Sequence, residues 1–261
     1  MSIDQSVKKS KKTNWKTLEL KRNNKELLII GCHHSKKYNN NHKKIESLFN
    51  SFIKDKNKKQ ITVLFEGHPQ GNVKNKKSLI QKYQEAGLLY FLSHKEKINS
   101  TSLEDDVSRF VKNMHKKDEM ILWILLNILN YRKKAILSPN NIKEIKSTLE
   151  ALGQKMKMTG NGDEIFKKLS LKLKKIYNKK ILPEKIEELK NYKLNLKEIN
   201  KLQSPFLNLT LLNKVGKDFN LARDYFIAEK ILTQFKKKSI FCVIGLNHLI
   251  SIEKVIKKGT I

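Results

Sequence analysis

Cysteine is almost absent from this 261-residue chain, which holds only Cys32 and Cys242. Neither lies in the CxxC spacing of redox or zinc-ribbon sites, so a disulfide-built scaffold is excluded and two reduced thiols are expected. Arginine is nearly as scarce: it occurs only as Arg22, Arg109, Arg132 and Arg223, so lysine supplies most of the 55 basic residues and the formal charge of +30. Nucleic-acid readers use arginine forks interleaved with aromatic platforms, and aromatics here are 8% of residues without such interleaving. The excess of Lys, with Asn and Ile, reads as compositional drift, although such a surface still attracts polyanions at low salt. Long apolar runs are also missing. The most apolar stretch, Met120 to Leu126 extended by Ile128 and Leu129, falls far short of the roughly 20 residues that cross a bilayer. The first residues, with Lys8, Lys9, Lys11 and Lys12 among Ser and Thr, lack the apolar core of a secretory signal. A soluble, cytoplasmic protein without a transmembrane segment is the expectation.

What is present is a phrase used twice. Leu27-Leu28-Ile29-Ile30 leads into Gly31-Cys32-His33-His34, and Ile240-Phe241-Cys242-Val243-Ile244 leads into Gly245-Leu246-Asn247-His248. Between them Ile61-Thr62-Val63-Leu64-Phe65 stops at Glu66-Gly67. Each run is about five residues of Ile, Val, Leu and Phe without polar alternation, the pattern of a strand buried on both faces. In open α/β sheets, ligands collect beyond the carboxyl ends of the strands. If the three runs are neighbours in one sheet, His34, Glu66 and His248 converge at one edge.

The rest of the chain supplies the layers around such a sheet, and 39% hydrophobic residues suffice for its core. Thr17–Lys21 and Glu26–Ile30 read as an antiparallel hairpin across residues 22–25. Asn41–Lys54 carries Ile45, Leu48, Phe49 and Phe52 at helical spacing, Lys76–Ser93 is a second helix, and Lys97–Ser100 is a short strand. A main core helix is expected to start near Ser102 or Asp105 and run to about Lys134, with Val107, Phe110, Val111, Met114, Ile121, Leu122 and Leu125 on its stripe. From Pro139 to Leu202 the pattern becomes lysine-rich amphipathic helices, broken at Gly160-Asn161-Gly162 and at Pro183. The last long helix opens at Lys217 or Asp218, runs through Phe235 and is apolar on most sides; periodicity leaves the direction of Arg223 open. The fold class is therefore α/β, a mixed, largely parallel sheet flanked by helices with a lysine-rich helical insertion. The expected division is a basic tail at 1–16, a core at 17–138 and 203–261, and an insertion or lid at 139–202.

A lone GxxH is a weak signal, since a histidine after a strand is commonly bonded to nearby backbone. Two copies in the same context, with a strand-terminal carboxylate between them, point to a metal centre. Neutral imidazole and carboxylate suit Zn, Mn, Fe or Co, and a His, His, Glu set leaves coordination positions for water and substrate. Glu66 is alternatively a general base. His33 and His68 lie close enough to substitute as ligands, whereas His42, His94 and His115 read as surface residues. A metal-free alternative makes Cys32 a thiolate nucleophile beside His33 and His34.

The order Gly31-x-x-His34, Glu66-Gly67, Arg223-Asp224 and Gly245-x-x-His248-Leu249 resembles the superfamily that contains the Tiki proteases, the TraB pheromone-shutdown proteins, the erythromycin esterases and the haem-binding protein ChaN. The segments Glu85-Ala86-Gly87 and Ser102-Leu103-Glu104 are similar to the connecting region of the TraB-like branch. The resemblance covers the two ends and the first hundred residues, and leaves 139–202 without a counterpart; Cys32 stands where that family commonly has Thr. It implies a mixed sheet with His34, Glu66, Arg223 and His248 at one pocket, and either metal-dependent peptidase or metal-optional esterase chemistry. The expected function is hydrolysis of a peptide or ester bond by activated water, with a divalent metal on His34, Glu66 and His248 and with Arg223 stabilising the oxyanion. The alternatives are a binding protein for haem, iron or peptide, and a polyanion binder.

Overall fold

A computed structural model describes residues 15–71, 73, 75–104, 114–132 and 136–259. The chain divides into two compact units, 1–106 together with 223–261, and 107–222. The second unit thus extends on both sides beyond the lysine-rich stretch 139–202, and the division falls between Ala222 and Arg223.

The first unit opens with a hairpin of β1 (Trp15–Arg22) and β2 (Lys25–Cys32). Its turn is only Asn23-Asn24, shorter than expected. Both residues have left-handed backbone, φ 48° and 60°, the geometry that continues the twist of a two-residue hairpin and that Asn tolerates. Trp15 and Lys16 belong to β1, which shortens the anticipated tail. After β2 come α1 (Asn40–Ile53), β3 (Ile61–Phe65), α2 (Lys76–Lys95) and β4 (Asn99–Ser102). Strand β4 lies two residues later than its sequence pattern suggests, because Lys97 takes a left-handed turn, φ 55°, at the end of α2.

The sheet has the order β1-β2-β5-β3-β4, where β5 is Ser239–Gly245. Apart from the β1–β2 hairpin, every pairing is parallel. The three strands that carry the repeated phrase and the carboxylate are neighbours, with β5 between β2 and β3. Register sets Cys32 opposite Gly245 and Phe65 opposite Val243, so the chain leaves all three strands at the same edge. The strands lack polar alternation because both faces are covered. Ile30, Val63, Phe65, Phe241 and Val243 pack with α1 and α2. Ile29, Leu64, Ile240, Cys242 and Ile244 pack with Ile227 and Ile231 of α7 (Leu211–Phe235) and with Leu249 and Ile252 of α8 (Leu246–Gly259).

The second unit is helical, with α3 (Lys117–Tyr131), α4 (Pro139–Lys155), α5 (Gly162–Tyr177), α6 (Leu196–Gln203) and the start of α7 around one core. The long core helix expected from Ser102 or Asp105 is corrected here. Helix α3 starts only at Lys117, where the Lys116 N–H donates to Glu119 Oε2 at 3.3 Å, and Met114 is exposed. The predicted core positions Val107, Phe110 and Val111 lie outside the described residues. Helix α7 begins at Leu211, ahead of its expected start at Lys217 or Asp218. Its apolar surface predicts a deeply buried helix, but it is not buried all round, since Leu221 and Tyr225 are exposed. Among the described residues no helix is long and apolar enough to cross a membrane.

Candidate functional site

Glu66 is the hub of the carboxyl edge. It is the first residue after β3, and Gly67 with φ +88° turns the chain away behind it, a conformation open to glycine and strained for other residues. The carboxylate is 9% exposed and both oxygens are engaged. Oε2 accepts from the Gly245 backbone N–H at 2.6 Å and lies 3.1 Å from His34 Nε2. Oε1 accepts from Arg223 at 3.2 Å and lies 3.3 Å from His248 Nε2. The Gly245 amide opens α8, so the helix dipole adds to the stabilisation of the anion. Burial alone would push the Glu66 carboxyl up. The bond to His34 and the positive charges of His248 and Arg223 outweigh it and hold the carboxyl down at about 2.

Each histidine is gripped from behind by a second carboxylate. His34, two residues past β2, has Nδ1 2.9 Å from Glu85 Oε2, and the Ser35 N–H donates to Glu85 Oε1 at 2.9 Å. His248, in the first turn of α8, has Nδ1 bonded to Asp224. The two imidazoles therefore present Nε2 to the same carboxylate from opposite oxygens, an approximate symmetry that follows from the repeated phrase. Bonds to Glu66 and Glu85 raise His34 to about 10 against the opposing effect of burial. Arg223 also donates to Glu104 Oε1 at 2.5 Å, which settles its direction toward the site. Adjacent positions on a helix point about 100° apart, so Arg223 reaches Glu66 while Asp224 reaches His248.

The four predicted residues, His34, Glu66, Arg223 and His248, are thus brought together. Sequence reasoning did not assign a role to Glu85, Asp224 or Glu104. A signal existed for two of them: Glu85 sits one turn before the buried Leu88 and Leu89, and Asp224 one turn before Ile227 and Ala228, so each is a carboxylate on an apolar stripe. What delivers Glu85 was not legible. Gln84 breaks α2 with φ 58° and ψ −133°, and the helix resumes with Glu85 turned into the site, 1% exposed.

Other expectations are corrected. His42 is fully buried rather than at the surface; its Nδ1 closes the α1 capping box with Asn39, and its Nε2 lies 3.6 Å from Glu85. His115 is not a surface residue either, its side chain being 4% exposed and bonded to Asp218 at 2.8 Å. His94 is exposed as expected; of the two substitute ligands, His33 is exposed and His68 lies 4.0 Å from Glu104. Cys32 and Cys242 are free and buried. Burial and the nearby Glu85 and Glu66 charges push the Cys32 thiol far up, which removes it as a thiolate nucleophile.

The donor set fits a divalent ion in type, and its anchoring is that of metal-site histidines, whose second ring nitrogen is held by a carboxylate. The N···O separations of 3.1 and 3.3 Å are those of neighbouring ligands on roughly 2.0–2.2 Å bonds. A Cβ on Gly245 would lie 3.2 Å from His34 Nε2 and 3.3 Å from Glu66 Oε2, so a glycine keeps this space clear. As arranged, the Nε2 atoms lie directly against the Glu66 oxygens, and among the described residues no three His, Cys, Asp or Glu side chains form a ready-made cation cage. Comparison of the chain with family models, with curated proteins and with solved structures finds no match in any of the three.

Proposed function

We propose that the protein is a hydrolase of the TraB/Tiki type that cleaves a peptide or ester bond at this carboxyl-edge site. The single observation that carries the reading is the convergence of two carboxylate-anchored imidazoles on one buried glutamate, beside an arginine. Structural histidines satisfy one or two backbone groups; they are rarely both aimed, each from its own anchor, at a shared carboxylate. Glu66 and His34, each shifted from its ordinary range against burial by specific charge partners, mark this edge as a functional-site candidate.

In this reading Asp224 accepts from His248 Nδ1 and fixes the neutral ring with Nε2 unprotonated, so that Nε2 takes a proton from a water held against Glu66. Glu85 does the same for His34, whose proton at Nε2 is available to a leaving group. Arg223, shared between Glu66 and Glu104, supplies a fixed guanidinium toward the oxyanion that develops on a carbonyl. His34, Glu66 and His248 are the residues that would hold a divalent ion; such an ion, when bound, supplies Lewis acidity and a water of lowered pKa.

The test uses p-nitrophenyl esters and quenched fluorescent peptides, with elemental analysis of protein purified without added metal. Glu66→Gln and His248→Ala are expected to lower turnover at least about a hundredfold with the fold intact by circular dichroism. If metal is present, His34→Ala and His248→Ala each release it. Turnover that survives both Glu66→Gln and His248→Ala at wild-type rate would remove this site from the chemistry.

A further inference from the structure

Strand β4 is the outer edge of the sheet on the Glu66 side, and its sequence, Asn99-Ser100-Thr101-Ser102, has no apolar residue. The N–H and C=O of one strand residue point to the same side and alternate along the chain. Leu103 N–H donates inward to Phe65 O at 2.8 Å. Thr101 therefore also faces β3, and Ser100 and Ser102 turn their backbone groups outward. Among the described residues nothing pairs with those outward groups. Ser100 and Ser102 line a shallow, open groove of about 570 Å³. Tyr90 and His94 of α2 flank it from one face of the sheet and Lys230 of α7 from the other, so it is a slot between two helix layers with the strand edge as its floor. One end of the slot is Glu104, the residue that shares Arg223 with Glu66.

An edge whose outward donors and acceptors are unpaired among the described residues is the template for one more strand. We infer that the slot takes an extended polypeptide, which pairs with Ser100 and Ser102 and lies with one end toward Glu66, Arg223 and His248. This deepens the hydrolase reading by naming its substrate class, a polypeptide in β conformation rather than a small ester. Backbone pairing supplies affinity, and alternate side chains meet the slot walls. Those walls carry His68 and His94 beside the Ser and Thr hydroxyls, with Glu104 as the acidic group at one end, and the chain bears a charge of +30, so peptides rich in Asp and Glu are favoured. The four residues of β4 match roughly 13 Å of extended chain.

The experiment uses the full-length protein and a pool of fluorescein-labelled, internally quenched octapeptides rich in Asp and Glu. Binding is read by polarisation and cleavage by release of quenching. Ser100→Pro removes one outward N–H and leaves the β3–β4 ladder, as proline does on edge strands. It is expected to weaken binding roughly tenfold with an unchanged melting temperature and unchanged hydrolysis of p-nitrophenyl acetate. Methylating the backbone nitrogens of the best octapeptide one at a time is expected to weaken binding only at alternate positions, a readout that needs no variant to fold. Wild-type affinity in Ser100→Pro, or an N-methyl series without alternation, overturns the docking. A concentration-dependent dimer in sedimentation that Ser100→Pro dissolves assigns the edge to a second copy and overturns it too. Binding with alternation but no cleavage by the wild type keeps the docking and rejects the hydrolase reading.

Discussion

Four groups surround the Glu66 carboxylate: a backbone amide and a guanidinium that donate to it, and two imidazoles whose Nε2 atoms lie within 3.3 Å. Remove its charge and His34, His248 and Arg223 lose the one carboxylate they share, each keeping only its own second partner, Glu85, Asp224 or Glu104. Held at about 2 instead of the ordinary 4.5, the carboxyl contributes stability that is complete above pH 4.5 and lost as pH falls toward 2. His34, raised from 6.5 to about 10, contributes stability that is complete below pH 6.5 and lost as pH rises through 10. The wild type is therefore expected to be most stable between pH 4.5 and 6.5, with losses on both sides. In Glu66→Gln both limbs flatten, since the variant keeps the shape and drops the charge. Urea unfolding midpoints from pH 2 to 10 would show it, and an acid limb identical in the two proteins would refute the pairing. At this scale the sequence exposed the residue types and hid their aim. Arg223 was undecided because its neighbours along the helix are both apolar and polar, and only the packing of α7 against the sheet edge resolves it.

Among the elements, α2 shows how local strain serves the site. A non-glycine residue at φ 58°, ψ −133° sits in a sparsely populated region and costs about 1–3 kcal/mol. Relieving it is straightforward: Gln84→Gly is expected to raise unfolding free energy by about 1 kcal/mol, readable as a higher urea midpoint with unchanged slope. A loss of stability in that variant would mean that the Gln84 side chain, not its backbone, is what the break retains. The break itself escaped the periodicity because Leu79, Ile80, Leu88, Leu89 and Leu92 still recur at helical spacing on both sides of it. Strands β2, β3 and β5 and the β1–β2 hairpin were legible, since continuous Ile, Val, Leu and Phe between turn residues have few other readings. Strand β4 was displaced by two residues, as Asn, Ser and Thr carry little strand signal, and the start of α3 was missed because an apolar stripe has no way to announce the turn at 114–116.

For the molecule as a whole, charge is the dominant imbalance. With 55 basic against 25 acidic residues, self-repulsion opposes the compact state and is screened over roughly 10 Å at 0.1 M salt. Raising NaCl from 0.05 to 0.5 M is expected to raise the melting temperature by several degrees. The buried Glu66 contacts are screened much less than the surface lysines. A melting temperature that falls steadily with salt would show that ion pairs, rather than repulsion, control the balance. The lysine-rich stretch was legible as helical. That the compact unit holding it spans 107–222 was not, because its core also recruits α3 and the first turns of α7.

The chain alone determined the α/β class, the three buried strands and the four residues His34, Glu66, Arg223 and His248, because hydrophobic runs, glycine stops and side-chain chemistry are local properties. Tertiary structure decided everything that depends on which segments meet. It placed β5 between β2 and β3 so that both histidines face one carboxylate. It brought Glu85 and Asp224 in behind them and left the polar edge of β4 open beside Glu104 among the described residues. Strand order and register are set by packing across the whole sheet, a sum of long-range contacts that no window of sequence contains.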